Sequence, residues 1–193
     1  MLLLAGCKAV TATPAAAPGA AASPSEPVIG NADLISTLGN LSYSGIFSDK
    51  MVTLIDGTYT YTEVGVPATP IVRLLDRITA TDDLNGDGAA DAVALLEHNT
   101  TGTGRFVFVA PVLNVATAPT PGIPYLLGDR VQLKSLAVAN GKVVIDYLAQ
   151  GPADGQCCPT WNVRTTLALK DGVLSEESTE QISKVSLSDL ASV

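Results

Sequence analysis

The chain has 193 residues, is 47% hydrophobic and 16% charged, and carries a net charge of −8 at neutral pH. An acidic excess of this size argues against nucleic acid or an anionic lipid surface as a partner, because both require clustered lysine and arginine. The length permits one ordinary domain with a sizeable core.

The first seven residues predict a lipid anchor. Leu4-Ala5-Gly6-Cys7 follows an apolar start and matches the small-residue box at which bacterial lipoproteins are cleaved and acylated on cysteine. A secretory signal normally has a positive region and about 7–15 apolar residues, whereas six residues without a charged side chain precede Cys7. We therefore interpret residues 1–7 as a truncated lipoprotein signal that places the protein outside the cytoplasm, on a membrane, in a periplasm or on a cell surface. The alternative is a chance Ala-Gly-Cys sequence.

Residues 8–30 predict a tether. They are rich in Ala, Pro, Ser and Thr, contain the single acid Glu26, and cannot pack a core. Repeated prolines stiffen such a segment toward an extended form of about 3.1 Å per residue. No apolar run elsewhere reaches the roughly 18 residues of a membrane span. We therefore expect the lipid to be the membrane link and residues 31–193 to form a single β-rich domain.

The domain is predicted to be mainly β, of the β-rich α+β class, with one short N-terminal helix. The helix is expected at residues 31–38, with Asn31 as its cap and Gly39 as its stop. Leu34, Ile35 and Leu38 are expected on its buried side. Residues 186–192 are a second segment expected to pack outside the sheet.

Two-residue turns separate the predicted strands. Asp56-Gly57, Asn140-Gly141 and Asp171-Gly172 each stand between strand-like segments, and such pairs favour hairpins. Further strands are expected at residues 71–80, 92–96 and 105–113. Consecutive hairpins imply an antiparallel sheet that is curled or folded into a sandwich.

Residues 83–91 predict a calcium loop, because oxygen donors stand at alternate positions around a glycine. The expected ligands are the side chains of Asp83, Asn85, Asp87 and Asp91 and the backbone carbonyl of Ala89. Gly88 allows the sharp turn. Ala94 stands where the helix-loop-helix motif has a bidentate Glu, so the loop is more similar to the strand-flanked sites of integrin-type β proteins. The alternative is a turn without an ion.

Three motifs together resemble a group of poorly characterised bacterial lipoproteins. They are Asp83 to Leu96, with its DLNGDG start, Leu126 to Arg130, with its GDR turn, and the CCP segment from Cys157 to Thr160. The resemblance covers most of residues 40–170. It implies a secreted, mainly β domain of unknown biochemical role, and it supplies no catalytic residue.

Cys157 and Cys158 are adjacent and, if Cys7 is acylated, are the remaining cysteines in an oxidising compartment. Neighbouring Cα atoms lie about 3.8 Å apart, below the usual disulfide range of about 4.4–6.8 Å, and a bond between them would close almost no loop. Four readings stay open. They are a stiff turn before Pro159, a redox switch, a ligand platform beside Trp161, and two reduced cysteines in the core.

Asp129, Arg130 and His98 are weaker candidates. Asp129 and Arg130 at a glycine turn are expected to form a local ion pair and are also candidate ligand contacts. His98 is the only histidine, so a zinc site or a Cys-His nucleophile would need Cys157 or Cys158 beside it, and the usual local signatures are missing.

The sequence favours a lipid-anchored, calcium-stabilised binding or interaction module over an enzyme. Its expected partner is an envelope protein, a glycan or a small ligand, and its oligomeric state is left open. The alternatives are a hydrolase or redox enzyme that uses Cys157, Cys158 and Trp161, and a purely structural envelope protein. A pocket with convergent polar groups would favour a small ligand or an enzyme, and a flat apolar patch would favour a protein partner.

Overall fold

The computed structural model describes residues 30–60, 64, 71–75, 80–100, 102–115 and 118–185. The regular elements are α1 (Asn31–Thr37), a 3-10 turn (Leu38–Asn40), β1 (Ser42–Tyr43), β2 (Val52–Thr53), β3 (Thr58–Thr60), β4 (Ile71–Leu74), β5 (Ala80–Asp82), β6 (Asp91–Asn99), β7 (Arg105–Val115), β8 (Ala118–Pro121), β9 (Tyr125–Asp129), β10 (Gln132–Ala139), β11 (Lys142–Ala149), β12 (Trp161–Lys170) and β13 (Val173–Lys184). The prediction of a mainly β fold with one short helix is confirmed. The signal with Cys7, the tether up to residue 29, and residues 186–192 lie outside the described part of the chain.

Strands β6 and β7 form the centre of a seven-stranded antiparallel sheet. They pair from Ala92 opposite Val112 to Asn99 opposite Arg105. On the outer side of β6, β5 pairs with its beginning and β4 with its end. On the outer side of β7, β9 pairs with its first half and β8 with its last residues. β6 and β7 are therefore each hydrogen-bonded to other strands on both sides, and these hydrogen bonds fix the region where β6, β7 and β9 meet.

A second sheet has four strands in chain order, β10-β11-β12-β13. Asn140-Gly141 and Asp171-Gly172 make two of its turns, and all four of these residues have positive φ. This backbone twist matches the right-handed twist of paired strands, and Asn, Asp and Gly adopt it most readily. Both predicted hairpins are confirmed.

The central strands of the seven-stranded sheet, β6 and β7, are buried on both faces. Ala92, Ala94 and Leu96 of β6 face a core that includes α1 and the β1-β2 pair, whereas Val93 and Leu95 face a core shared with the four-stranded sheet. Successive residues of a strand point to opposite faces. A strand that is covered on both faces is therefore apolar at every position, which explains the uninterrupted apolar run of β6.

The first helix differs from the prediction at both ends. It ends at Thr37, Leu38 belongs to the 3-10 turn, and Gly30 rather than Asn31 is the N-cap residue. Leu34 and Leu38 are buried as expected, but Ile35 is 39% exposed. Leu34 and Leu38 share one face because they are four residues apart, and Ile35 lies to the side of it.

Two of the predicted strand regions are also corrected. Asp56-Gly57 does form a tight turn, with Ile55 bridged to Thr58, but β2 pairs with β1 and β3 with β4, so no hairpin ladder follows. The strand expected at residues 71–80 is observed as β4 and β5, with residues 76–79 outside the described part.

Candidate functional site

Two of the sequence-predicted candidates, Arg130 and Cys157, line one cleft of about 220 Å³. Its wall is formed by Glu97, Arg105, Arg130, Val131, Gln132, Gln156 and Cys157. These residues come from the end of β6, the start of β7, the segment after β9, and the loop between β11 and β12. We name this concavity the arginine cleft.

A second depression of about 420 Å³ lies between α1 and the β3-β4 pair, with Arg73 and Asp56 in its wall. It is larger and more open than the arginine cleft. None of the sequence-predicted site residues lines it. The arginine cleft is therefore the better candidate for a specific site.

Glu97 is the buried acid of the arginine cleft. Its side chain is 4% exposed and accepts hydrogen bonds from Arg73, at 2.7 Å from Nη2 and 3.1 Å from Nε, and from Nη2 of Arg105. Burial alone would raise the pKa of Glu97, but the two guanidinium groups outweigh burial and hold the pKa below its ordinary value. Glu97 is therefore a carboxylate at neutral pH, paired with two cations.

Asp129 and Arg130 form the predicted ion pair. The backbone N–H of Arg105 donates to Oδ1 of Asp129 at 2.8 Å, and the backbone N–H of Arg130 donates to the Arg105 carbonyl at 2.7 Å. Nη1 of Arg130 donates to Oε1 of Gln156 at 3.0 Å. Arg105 and Arg130 are therefore fixed beside each other, and Arg130 is tied to the loop that carries the cysteines.

Arg130 has an unusual backbone conformation for its residue type. Among the described residues, four that are not glycine have positive φ, and Asp56, Asn140 and Asp171 are the other three. Arg130 has a φ of 52° but lacks the short polar side chain that eases this conformation. Such conformations persist only where the surroundings hold them, and they concentrate at ligand sites.

The loop between β11 and β12 presents Cys157 to the arginine cleft. Cys157 and Cys158 form a disulfide, with Cα atoms 3.8 Å apart, so the reading of two reduced cysteines in the core is wrong. Asp154 organises the loop, because its Oδ2 accepts the N–H groups of Gly151 and Thr160, each at 2.8 Å. The Gly151 hydrogen bond is the main reason that the pKa of Asp154 lies below its ordinary value.

Trp161 and His98 lie away from the arginine cleft. Trp161 packs against the core shared by the two sheets, and its indole lies so close to Gly151 that any Cβ there would overlap the ring. Trp161 is not among the residues that line the arginine cleft, and the platform of the two cysteines beside Trp161 stays a prediction. His98 follows Glu97 on β6 and so points to the opposite face of the sheet, with its ring centroid 4.8 Å from that of Phe47. His98 and the disulfide do not form a common site.

The acidic loop between β5 and β6 has the predicted turn, with Gly86 and Gly88 at φ values of 82° and 86°. Asp83 accepts the N–H groups of Gly88 and Gly86, at 2.9 and 2.6 Å, and these bonds lower the pKa of Asp83. Asn85 and Asp87 each accept the N–H group two residues later, at 2.9 and 2.7 Å. The side-chain oxygens thus hold the loop backbone.

Asp91 is completely buried and joins this loop to the central strands. Its Oδ2 accepts the N–H of Leu84 at 3.0 Å, and its Oδ1 accepts the N–H of Asn114, on β7, at 2.9 Å. Burial raises the pKa of Asp91, and the charges of Asp87 and Asp83 add to the shift. Hydrogen bonding is satisfied, but the donors are neutral and do not compensate the charge.

The donor set of the loop suits calcium chemically but is not gathered around one point. Among the described residues, no three acidic, histidine or cysteine side chains lie close enough together to hold a metal ion. Nδ2 of Asn85 donates to Oδ2 of Asp87 at 2.8 Å, so the amide presents its nitrogen to that carboxylate. Each carboxylate oxygen has two lone pairs, so the turn hydrogen bonds leave acceptor capacity. Calcium binding stays a prediction.

Comparisons of the chain with protein-family models, with curated proteins and with solved structures find no match. The resemblance to bacterial lipoproteins therefore depends on the sequence motifs alone. Within the described ranges, no helix has the length and apolar character needed to cross a membrane.

Glu97, Arg105 and Gln156 are functional candidates that the motifs do not predict. One signal for the first two is present in the sequence. Glu97 directly follows the apolar run of β6, and Arg105 directly precedes the apolar run of β7. Charges at the facing ends of two strands that are joined by a short loop are expected to lie close together in an antiparallel pair. No comparable signal marks Gln156.

Proposed function

We propose that the chain is a lipid-anchored binding domain of a bacterial envelope, stabilised by calcium at residues 83–91, and that it binds a small ligand in the arginine cleft. The observation that carries the proposal is the convergence of Glu97, Arg105, Arg130 and Cys157 from four chain segments on one concavity. Convergent polar groups in a preformed cleft are typical of ligand sites. The left-handed backbone of Arg130 gives further support.

The chemistry of the cleft wall favours binding over hydrolysis. The sulfur of Cys157 is engaged in the disulfide, so it does not offer the thiolate that a cysteine nucleophile requires. The pKa of Glu97 is held low by two arginines, and a carboxylate of low pKa is a weak general base at neutral pH. The second candidate function is a redox enzyme, which the exposed Cys157 sulfur in the wall favours. A redox enzyme would pass the Cys157–Cys158 disulfide to a dithiol substrate and become the dithiol itself, and with oxidised glutathione added to restore the disulfide it would turn over repeatedly, whereas a binding domain would not.

A fragment titration of the full-length, ¹⁵N-labelled chain tests the ligand site. Neutral, cationic and anionic small molecules are added in separate series while the backbone amide signals are followed. We expect saturable shifts that include Glu97, Arg105 and Val131. Gln132→Trp should abolish these shifts by filling the cleft, whereas Lys134→Trp, on the same strand but outside the cleft wall, should retain them. If no series gives saturable shifts at the cleft residues, the ligand site is wrong.

The anchor is supported by the Leu4 to Cys7 motif and the tether that follows it. The full-length protein should partition into the detergent phase. Cys7→Ser should move it to the aqueous phase. Wild-type protein that stays aqueous and carries no lipid by mass spectrometry would reject the anchor without affecting the ligand site.

A further inference from the structure

We infer that the ligand of the arginine cleft is a small monoanion whose carboxylate is held by Arg130 and Arg105. The inference rests on the proposed ligand site and adds the chemical class of the ligand. Three properties of the cleft support it, which are its charge, its hydrogen-bond donors and its size.

The arginine cleft is a positive region on an acidic chain. The sequence contains five arginines, and three of them, Arg73, Arg105 and Arg130, meet around Glu97 and Asp129. Three cations and two carboxylates leave one uncompensated positive charge, whereas the whole chain carries −8. One negative charge on a ligand balances the cluster, and a second would exceed it. The local charge therefore favours a monoanion.

Arg130 is the principal donor. Its guanidinium lies in the cleft wall, with Nη2 on Asp129 and Nη1 on the neutral carboxamide oxygen of Gln156. A ligand carboxylate that replaces Gln156 exchanges a neutral acceptor for a charged one, and charge-assisted hydrogen bonds are roughly twice as strong as neutral ones. Nε of Arg130 is buried and has no hydrogen-bond partner among the described residues, so the guanidinium retains unused donor capacity.

Arg105 supplies the second cation. Its side chain is 57% exposed and contacts Glu97 through Nη2. Its backbone is fixed to Asp129 and Arg130 by the two hydrogen bonds described above. The root of the side chain is therefore held beside Arg130, and the exposed guanidinium can turn toward a carboxylate that Arg130 binds.

The size and the apolar part of the wall limit the rest of the ligand. The volume of about 220 Å³ is below the roughly 300–1,000 Å³ of clefts for drug-sized ligands. Val131 and the sulfur of Cys157 offer apolar contact. The cleft therefore fits a short carboxylic acid, or the acid end of a longer molecule. A phosphate group offers the same oxyanion chemistry with more charge, and the experiment separates the two.

Isothermal titration calorimetry of the full-length chain at neutral pH and low salt tests the inference, with butanoate, the uncharged butanamide and inorganic phosphate as probes. We expect saturable butanoate binding, no butanamide binding, and weaker phosphate binding. Arg130→Gln should weaken butanoate binding at least about tenfold, and Arg105→Gln should weaken it by about threefold. Circular dichroism checks the fold of each variant, and the two arginine variants test the same ligand independently.

Arg164→Gln is the matched control. Arg164 makes two hydrogen bonds to Asp146, at 2.7 and 2.8 Å, on the four-stranded sheet away from the cleft wall, so its loss should leave butanoate binding unchanged. No heat from butanoate, equal binding of butanamide, or unchanged binding in Arg130→Gln would overturn the carboxylate assignment. Tighter binding of phosphate than of butanoate would also overturn the carboxylate assignment, because phosphate at neutral pH is a mixture of monoanion and dianion. Each of these results leaves the fragment titration intact, whereas failure of that titration rejects the ligand site itself.

Discussion

The two ends of β6 each bury a carboxylate, and the two carboxylates are stabilised in opposite ways. Asp91 and Glu97 are the buried acids among the described residues, and about 20 Å separates them along the strand. Asp91 accepts backbone N–H groups, and burial raises its pKa. Glu97 is equally enclosed, but two guanidinium groups lower its pKa.

The difference shows that satisfying hydrogen bonds and compensating charge are separate requirements of a buried acid. Neutral N–H donors satisfy the oxygens of Asp91 but leave its negative charge, so this end of β6 gains from a cation. The guanidinium groups at Glu97 exceed the local negative charge, so this end gains from an anion. The proposed calcium and the proposed carboxylate ligand thus belong to opposite ends of one strand. Since the Debye length is about 8 Å at physiological salt, we expect little direct electrostatic coupling between them.

Removal of Asp91 should have the largest effect on stability. Asp91→Ala leaves the N–H groups of Leu84 and Asn114 buried without an acceptor, and each such group costs about 1–3 kcal/mol. We expect the free energy of unfolding, measured by urea titration without calcium, to fall by about 3 kcal/mol. Asp91→Asn, which keeps one acceptor oxygen, should lose less. Asp87→Ala, in the exposed part of the loop, is the control and should lose little. Equal losses in Asp91→Ala and Asp87→Ala would contradict the bracing role of Asp91.

Acid titration should separate the two carboxylates. Because the pKa of Glu97 is below its ordinary value of 4.5, its stabilisation is complete above about pH 4.5 and is lost as the pH falls through the folded-state pKa. The contribution of Asp91 to stability changes with pH in the opposite direction. Its pKa is raised above 3.8, so its contribution is most favourable at low pH and is lost as the pH rises through the folded-state pKa.

Variants of the two carboxylates test these opposite pH dependences of stability. Glu97→Gln should lower the free energy of unfolding by about 1–2 kcal/mol at neutral pH, since Arg73 and Arg105 are half exposed and the pairs are partly screened. It should also flatten the decline of stability in acid, whereas Asp91→Asn should make that decline steeper. Urea titrations from about pH 3 to pH 7 test both changes. An acid decline that is the same in Glu97→Gln and wild type would show that another carboxylate dominates it.

The strands and turns were predictable because their signals are local. Asn140-Gly141 and Asp171-Gly172 contain the residues that a two-residue hairpin turn requires. The apolar run 92–96 likewise predicts a buried strand without knowledge of its neighbours. Ile35 and the Asp56-Gly57 region were mispredicted because tertiary packing, rather than local pattern, decides which helix face is covered and which strands pair.

The arginine cleft was predictable only in part, because distant segments build it. The GDR turn and the adjacent cysteines mark Arg130 and Cys157, but nothing local to either shows that they share a wall. Glu97 and Arg105 join them through the pairing of β7 with both β6 and β9. The role of Asp91 was likewise predictable only in part. Spacing predicts it as a calcium ligand, whereas its hydrogen bond to the N–H of Asn114 requires the register of the central strands.

Calcium should stabilise the fold by binding at the Asp91 end of β6, independently of Glu97. Extracellular calcium modules bind with dissociation constants of about 10⁻⁴–10⁻³ M. At about 1 mM calcium and a dissociation constant of about 0.1 mM, binding stabilises the fold by about 1.4 kcal/mol and raises the melting midpoint by a few degrees. Asp87→Ala should abolish the shift, Glu97→Gln should retain it, and magnesium should substitute poorly because it requires octahedral geometry at about 2.0–2.1 Å. If neither calorimetry nor thermal melts respond to millimolar calcium, the calcium site is wrong and residues 83–91 form only a turn.

The smallest expected effect concerns the backbone of Arg130 at the Glu97 end. Arg130→Gly and Arg130→Ala both remove the guanidinium, so the difference between them isolates the backbone at a φ of 52°. Glycine adopts positive φ freely, whereas the Cβ of alanine costs about 1 kcal/mol there, and urea titration should find the glycine variant more stable by that amount. Asn140, at a φ of 54° in the four-stranded sheet, is the matched control. Its glycine and alanine variants should differ similarly in stability but retain butanoate binding, which both Arg130 variants should lose. Equal stability of the two Arg130 variants would mean that the backbone relaxes once the side chain is gone, and the left-handed conformation would then be imposed by the contacts of Arg130 with Asp129 and Gln156.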